Sequence, residues 1–474
     1  ELIKGFAEIY TKTGYVIPAP ENFHEELLKK EWKINKAASA IAFNGLVKTA
    51  LSDGIRRFAS LGFIAFKTML TKEHKSKNSD IVLMNMHTHT MPPKLSGDKT
   101  FKLWDFVSWF RRSELNVADS RLWIHHLQAI DVSERDVRGL SFITTPWPFP
   151  VSLLNYVMFI FHCLTLLAKT CLGYWRGEWW KPFILREAVD TAYIQALGSK
   201  RLPEKFIFNN TTHNVRPVWT YLAESFGCDI QVAHYSHNFQ DDFDHENVDR
   251  SLVSPHILLY SWSNAAVWTQ FHADSIDKFF AGKINNTIVG PVGFSDSASE
   301  FRRPKNKITV AVFDLPVRRE ALAHKGIKLS HYQNQKTVIK FLTEVLGVIN
   351  ECDCVIVLKP KHYYGMAKGA PHQKWDKMIS VYKSLIEKYE CVLVPYGISA
   401  MRISTTVDIT IGIPFTSTAS AAHLLGKPAV YYDPTGTLGE FKHLSQGCEI
   451  LLERSALKTW LQTQVENIRS SRHI

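Results

Sequence analysis

Three hydroxyls in a row, Thr416, Ser417 and Thr418, stand where a short helix of small residues begins. Residues 409–412 before them are β-rich, and residues 428–432 form a second apolar run ending at Asp433. The first turn of a helix leaves N–H groups unpaired and carries partial positive charge, so hydroxyls there suit a phosphate. Ala419, Ala421 and Ala422 let such a helix lie close to a strand or ligand, and Gly426 closes it. The same pattern also serves an ordinary N-capped crossover helix. Candidate proton acceptors form a second group. Glu187 and Asp190 are three apart in a strong helical pattern over residues 182–197, which puts both carboxylates on one face. His213 and His234 follow or end the apolar runs 205–208 and 229–234. Polar residues just past strand C-termini are where open α/β sheets place ligands. His87 and His89 make an H-x-H pair after the apolar run 80–86, but no third ligand accompanies them, so no metal is expected.

Such residues need strands and helices in alternation to hold them. Strand-like runs fall at 80–86, 122–127, 140–144, 205–208, 229–234, 256–262, 307–313, 354–358 and 391–394. Helical patterns fall at 182–197, 215–226, 265–280, 332–349, 375–389 and 457–467. The alternation occurs twice, which predicts two doubly wound α/β domains. The expected division is a helical N-terminal extension over 1–78, a first Rossmann-like domain over 79–294, a polar and basic linker over 295–306, a second Rossmann-like domain over 307–454 and a closing helix over 455–474. Within the extension, residues 32–70 carry an apolar periodicity that Gly45, Gly54 and Gly62 are expected to break. The acidic run at 241–249 reads as a solvated rim.

Residues 139–168 contain no Asp, Glu, Lys or Arg. From Val151 the pattern is helical and about long enough to span a bilayer. Ser152, Asn155, His162, Thr165 and Lys169 recur at helical spacing as a weak polar stripe, which a spanning helix does not need. Trp175, Arg176, Trp179, Trp180 and Lys181 follow as an aromatic and basic cluster suited to a membrane interface. The segment 151–181 is therefore expected to insert into an interface rather than cross it, with a buried core helix as the alternative.

The chain has 474 residues and begins at Glu1, so the native N-terminus is expected to lie upstream. Its hydrophobic content of 45% and charged content of 21% fit a globular protein of two or three domains. The net charge of +11 suits anionic lipid or a phosphorylated substrate. The basic residues are dispersed and no nucleic-acid-binding signature stands out, so nucleic acid is not expected as a partner. The seven cysteines show no zinc-finger spacing and read as reduced core thiols.

The segment 409–433, with its strand, Ser/Thr-rich turn, small-residue helix, Gly-Lys-Pro and apolar strand, resembles the nucleotide-phosphate site of GT-B glycosyltransferases. Similar segments occur in bacterial surface-polysaccharide transferases of the Kdo/sialyl and polyol-phosphate types. The resemblance spans roughly residues 80–467 and is closest over 269–433. Lys359-Pro360-Lys361-His362 resembles the K-P-H-P stretch of sialyl- and Kdo-type transferases, but Lys361 stands where His would be and His362 where the second Pro would be.

The resemblance implies a GT-B fold, in which two Rossmann-like domains face each other across a cleft. It implies a metal-independent glycosyltransferase without a cofactor, moving a sugar from a nucleotide-activated donor to a glycan or lipid-linked acceptor. Surface polysaccharide biosynthesis, of capsule or lipopolysaccharide, is the expected pathway. Donor contacts would come from Arg318, Lys359, Lys361, His362, Thr416, Ser417, Thr418 and Ser420. Glu187, Asp190, His213 or His234 would be the acceptor base, with Glu187 preferred. The donor leans to a CMP-activated acidic sugar, with UDP-hexose and CDP-polyol as alternatives. The expected location is cytoplasmic, peripheral at the inner face of the cell membrane. The closing helix is expected to pack back across the first domain. A nucleotide-sugar 2-epimerase of the same fold and a non-catalytic glycan-assembly protein are the rival readings.

Overall fold

The computed structural model describes residues 36–70, 80–86, 105–117, 120–126, 136–137, 140–143, 151–209, 215–236, 260–280, 284–293, 307–315, 317, 334–361, 376–394, 398 and 400–472. Two compact units emerge, one of Glu1–Met86, Val117–Val232 and Val253–Asn264, the other of His87–Asn116, Ala233–Leu252 and Ala265–Ile474.

The chain enters on α1 (Lys36–Leu70) and passes through β1 (Asp80–Met86), α2 (Asp105–Arg112), β2 (Arg121–His126), β3 (Asp136–Val137) and β4 (Leu140–Ile143). Two long helices follow, α3 (Leu153–Trp175) and α4 (Lys181–Leu197). Then come β5 (Lys205–Asn209), α5 (Trp219–Ser225), β6 (Asp229–Ala233), β7 (Asn264–Val267), α6 (Gln270–Phe280) and β8 (Asn285–Ile288). These strands make an eight-stranded sheet ordered β3-β4-β2-β1-β5-β6-β7-β8. The pairs β1–β2, β1–β5 and β2–β4 are parallel, and β3 is an antiparallel edge on β4. The order winds outward in both directions from β1, as a doubly wound sheet does.

The second sheet is built from β9 (Thr309–Phe313), α7 (Gln335–Glu351), β10 (Val355–Lys359), α8 (Asp376–Lys388), β11 (Val392–Leu393), α9 (Ala400–Thr406), β12 (Ile409–Gly412), α10 (Ser417–Leu424), β13 (Ala429–Tyr432), β14 (Ile450–Leu451) and α11 (Arg454–Arg472). Its order is β11-β10-β9-β12-β13-β14, and every pair is parallel. All five residues of β9 are buried, as the continuous apolar run requires of a central parallel strand. Helix α7 covers one face through Val338, Phe341, Leu342, Val345, Leu346 and Ile349, a stripe at three- and four-residue spacing. Its start is fixed by Asn334, whose side chain accepts the Thr337 N–H at 2.9 Å. The α/β class with two Rossmann-like units, expected from alternation and resemblance, is what the chain forms.

Several expectations are corrected. The glycines of residues 32–70 do not interrupt the helix: α1 runs unbroken for 35 residues. Gly54 instead gives a close approach, since a Cβ there would meet the Leu185 side chain of α4 at 2.6 Å. The strand expected at 256–262 lies partly outside the described residues, and residues 265–267, read as the start of a helix over 265–280, belong to the strand β7 (Asn264–Val267). Helix α11 turns Leu457, Leu461 and Val465 into the core of the second unit and pairs Arg472 with the buried Asp408. Its apolar stripe matches the α7 side of the second sheet.

Candidate active site

In the second unit, Phe313 of β9 pairs with Lys359 of β10 on one side and with Gly412 of β12 on the other. The three strands therefore end at one level, and the segments that follow them emerge along one edge. The order β11-β10-β9-β12-β13-β14 reverses direction between β9 and β12. In open α/β sheets the crevice outside the carboxyl ends at such a reversal is where ligands bind. The expected donor residues Lys359, Lys361, Thr416, Ser417, Thr418 and Ser420 come from segments that leave this edge.

Helix α10 begins at Ser417, with Thr416 at the cap position. The Thr416 hydroxyl does not cap the helix; it donates to the Ile413 carbonyl at 3.0 Å. The first turn therefore has no side-chain cap, which leaves its positive end for another acceptor. The Thr418 hydroxyl is enclosed and, among the described residues, makes no hydrogen bond. Ser420 is buried on the inner side of the helix beside Tyr431. The Tyr431 hydroxyl donates to the Thr416 carbonyl at 3.1 Å and ties the start of the helix to β13.

Two backbone features set the helix there. Phe415 adopts a left-handed φ of 66° while buried, a costly conformation for an aromatic residue. Gly412 ends β12 directly under the helix start; a Cβ at this position would collide with the Thr416 hydroxyl and touch the Ala419 methyl at 3.0 Å. Gly412→Ala is expected to destabilise the protein by about 1–3 kcal/mol, because neither neighbour can yield without moving the helix. Chemical denaturation of the two proteins measures this directly.

Beside the helix, Asp314 follows β9 and is buried. Its carboxylate accepts the Lys361 N–H at 2.5 Å and pairs with the Tyr382 hydroxyl of α8. This carboxylate fixes the backbone just past β10 and with it the segment of Lys359 and Lys361. Burial pushes the Asp314 carboxyl up to about 7, against the pull of the Lys361 amide and of both lysines. Burial likewise lowers Lys359 to about 8, although Asp314 raises it. A carboxyl whose folded pKa lies above its unfolded value contributes most below the unfolded pKa and loses that contribution as pH rises through the folded one. The Asp314 contribution to stability is thus expected to fall from about pH 4 to about pH 7, and Asp314→Asn is expected to remove it, so that variant minus wild-type stability rises across this range. Urea midpoints across this range test both statements.

Asp314 is the site residue that a search for basic and hydroxyl groups passes over. Its signal in the sequence is a lone carboxylate placed directly after the four apolar residues Val310 to Phe313. Lys427, in the Gly-Lys-Pro turn, is spoken for: its ammonium donates to the carbonyls of Thr405 and Val407, the latter at 3.1 Å, at the end of α9. That matches the preference of cations for helix C-termini. Arg318 and His362 lie outside the described residues.

Of the proposed proton acceptors, Glu187 is half-buried and accepts the Val218 N–H at 2.9 Å, capping the entry to α5. Asp190 lies one turn on and is buried against Arg57 of α1 at 2.5 Å. Burial raises its carboxyl to about 6, and Arg57 opposes the rise. His234 follows β6 and is fully enclosed; its carbonyl accepts the Trp268 indole N–H at 2.7 Å, and burial lowers the ring to about 3, so it is neutral. His213, His87 and His89 lie outside the described residues. Among the described residues no group of three His, Cys, Asp or Glu is arranged to hold a metal ion. All seven cysteines are free thiols.

A family model described as polysaccharide biosynthesis PFTS motif protein matches residues 159–461. Comparison with curated proteins returns no match. Among solved structures, the chain is similar to a UDP-glucose:anthocyanidin 3-O-glucosyltransferase in complex with UDP, with a TM-score of 0.39, 8% identity and coverage of 83% of this chain and 92% of that one. It is similar to an α,α-trehalose-phosphate synthase from Burkholderia xenovorans in complex with glucose-6-phosphate, with a TM-score of 0.37, 8% identity and coverage of 82% and 92%. It is also similar to the lipopolysaccharide outer core galactosyltransferase WaaB, with a TM-score of 0.30, 11% identity and coverage of 83% and 99%.

Proposed function

The chain belongs to the family of polysaccharide biosynthesis PFTS motif proteins, and from that premise we propose that it is a glycosyltransferase whose second sheet holds the nucleotide-activated donor. The observation that carries the proposal is the reversal of strand order between β9 and β12, with the uncapped start of α10 and the Lys359 segment leaving the same edge. The donor's phosphate sits on the first turn of α10, bound by its N–H groups and the Ser417 hydroxyl, and the Thr418 hydroxyl, enclosed in the free protein, turns to join them when the donor binds. Lys359 and Lys361 supply positive charge as the sugar–phosphate bond breaks and negative charge gathers on the leaving phosphate. Asp314 positions both lysines and does not touch substrate. Helix dipole, hydroxyls and ammonium groups stabilise the leaving group, and the reaction runs without a metal ion. Arg318 and His362 complete the donor contacts in this reading.

The donor favoured by the Lys359-Pro360-Lys361-His362 resemblance is a CMP-activated acidic sugar. The acceptor is a glycan or lipid-linked glycan of bacterial surface polysaccharide, as in capsule or lipopolysaccharide, handled at the cytoplasmic face of the membrane. The acceptor loses its proton to a base from the first sheet and its helices, which we assign to Glu187, with Asp190, His213 and His234 as the other candidates.

The donor site is tested by calorimetry with CMP- and UDP-activated sugars. A Ser417→Ala/Thr418→Ala double variant is expected to bind the donor at least about tenfold more weakly, since two charge-assisted hydrogen bonds are lost. Melting should stay native, because Ala is a good helix former. Unchanged affinity in a normally folded double variant would place the phosphate elsewhere.

A further inference from the structure

Helices α1 and α3 lie side by side in the first unit, with α4 beneath both. Phe66 packs on Tyr156 with ring centroids 6.3 Å apart, and Phe58 packs on Phe159 at 6.1 Å. Gly62 brings α1 close to Ile160, and Gly54 brings it close to Leu185 of α4. The buried pair Arg57–Asp190 locks α1 to α4, and the Asn155 side-chain amide of α3 donates to the Ala196 carbonyl of α4 at 2.8 Å. The two outer helices are thus fixed in place by their inner faces.

Their outer faces are apolar. On α3, Leu154, Val157, Met158, Phe161, Leu164, Leu172 and Trp175 are all exposed, Leu154 by 72%, Phe161 by 66% and Trp175 by 85%. On α1 the exposed residues Ile55, Ala59, Phe63, Phe66 and Leu70 recur at three- and four-residue spacing. Only Phe159, Cys163, Thr170 and Gly173 of α3 are buried, although this helix is long and apolar enough to cross a membrane. Packing on Phe66 and Phe58 joins the two stripes into one surface, beyond the scattered apolar groups of an ordinary soluble face.

The flanks carry the second observation. His162, Lys169 and Arg176 are exposed at seven-residue spacing along one side of the α3 stripe, and Arg56 and Lys67 flank the stripe on α1. Lys48 is exposed on the same helix. The one carboxylate of α1, Asp53, is held by Arg186 at 2.9 Å, and α3 has none. An apolar stripe with Trp at its end and cations along its side is the build of a helix that lies in a membrane interface.

We propose that α1 and α3 together form a platform that seats flat on an anionic lipid bilayer, with Phe63, Phe66, Leu154 and Phe161 inserted among the acyl chains. Lys67, Lys169 and Arg176 meet the lipid phosphates. The platform stands on its own geometry and takes from the proposed function only the side of the membrane. Helix α3 does not cross, because its Asn155, Phe159 and Cys163 face is already packed against protein. In the sequence the signal is strongest in α3, while residues 32–70 read either as a cap on the next domain or as a segment lying on a membrane; the packing of the two helices into one surface comes from the fold.

The test uses the purified full chain, sedimented with vesicles of phosphatidylcholine alone or mixed with phosphatidylglycerol. Binding is expected to the mixed vesicles, to weaken with salt, and to be much weaker on phosphatidylcholine. Phe161→Glu on α3 and Phe63→Glu on α1 are each expected to cut partitioning at least about tenfold. Neither should alter melting, since both side chains face solvent in the free protein. Lys67→Gln and Lys169→Gln are expected to cost about fivefold each on the charged vesicles. Alkaline carbonate is expected to release the bound protein. No binding to either vesicle overturns the proposal, as does a dimer that Phe161→Glu dissolves in the absence of vesicle binding. Loss with Phe161→Glu but not Phe63→Glu removes α1 from the platform, and retention through carbonate overturns the flat placement. Sugar transfer to a soluble acceptor is measured separately, so a failure here leaves the transferase reading intact.

Discussion

Replacing Lys359 with Met is expected to lower sugar transfer by about 10²–10³-fold while the folded protein holds or gains stability. Both halves follow from its position. Lys359 ends β10, level with the start of the segment that leads into α10, and the residue is largely buried. A charge aimed at the leaving phosphate is worth most in the transition state, so its loss falls on turnover more than on donor affinity. Burial, however, holds Lys359 at about 8, well below an ordinary lysine. A base whose folded pKa is depressed binds fewer protons folded than unfolded, so charging it at neutral pH works against folding. Met has a similar shape and no such cost. Activity lost together with stability would mean that Lys359 is a structural cation, tied into the Asp314 cluster and nothing more. Steady-state kinetics and thermal melting of the one variant separate the two.

The second large effect is expected at Glu187. Glu187→Gln keeps the oxygen that accepts the Val218 N–H, so α5 stays capped and melting shifts by no more than about 0.5 kcal/mol. What the variant loses is basicity. If Glu187 takes the acceptor proton, turnover falls by about 10²–10⁴-fold with donor binding unchanged. Near-native turnover would leave Glu187 as a helix cap and pass the role to His213. Asp190→Asn provides the contrast. It weakens the pair with the half-buried Arg57, and its expected result is a stability loss of about 1–3 kcal/mol.

Much of the fold was legible because periodicity and burial speak the same language. The continuous apolar runs at β1, β9 and β12 are buried strands, and the small-residue helix after β12 starts at Ser417, one residue past the expected Thr416, which is its N-cap. Registers and helix partners were not legible. The three glycines of α1 look like breaks in one dimension, yet Gly54 and Gly62 are where two other helices come close, and that reason exists only in three dimensions. Strand β7 was misassigned because Asn264–Val267 is short and alanine-rich, which propensity reads as helix. At the candidate site, the hydroxyl cluster could be read from type and position, and Lys359 from the resemblance of residues 359–362 to a K-P-H-P stretch. That Thr416 turns its hydroxyl back to Ile413 could not, nor could the burial of Asp314 beneath the Lys361 amide.

The polar stripe of α3 divides in a way that helical spacing alone does not disclose. Ser152 accepts the Asn155 N–H at the helix start, and the Asn155 side chain reaches α4. His162 and Lys169 are exposed. One stripe in the sequence therefore serves two environments, protein at its beginning and the outer face further along.

The most direct test of the donor site is a crystal structure of the protein grown with a nucleotide, CMP and UDP being tried in turn. The account predicts the nucleotide at the carboxyl edge of the second sheet, between β9 and β12, with its phosphate within hydrogen-bond reach of the Ser417 and Thr418 N–H groups and hydroxyls and an ammonium of Lys359 or Lys361 beside it. A nucleotide bound away from that edge, or at it with the phosphate turned from α10, would contradict the account.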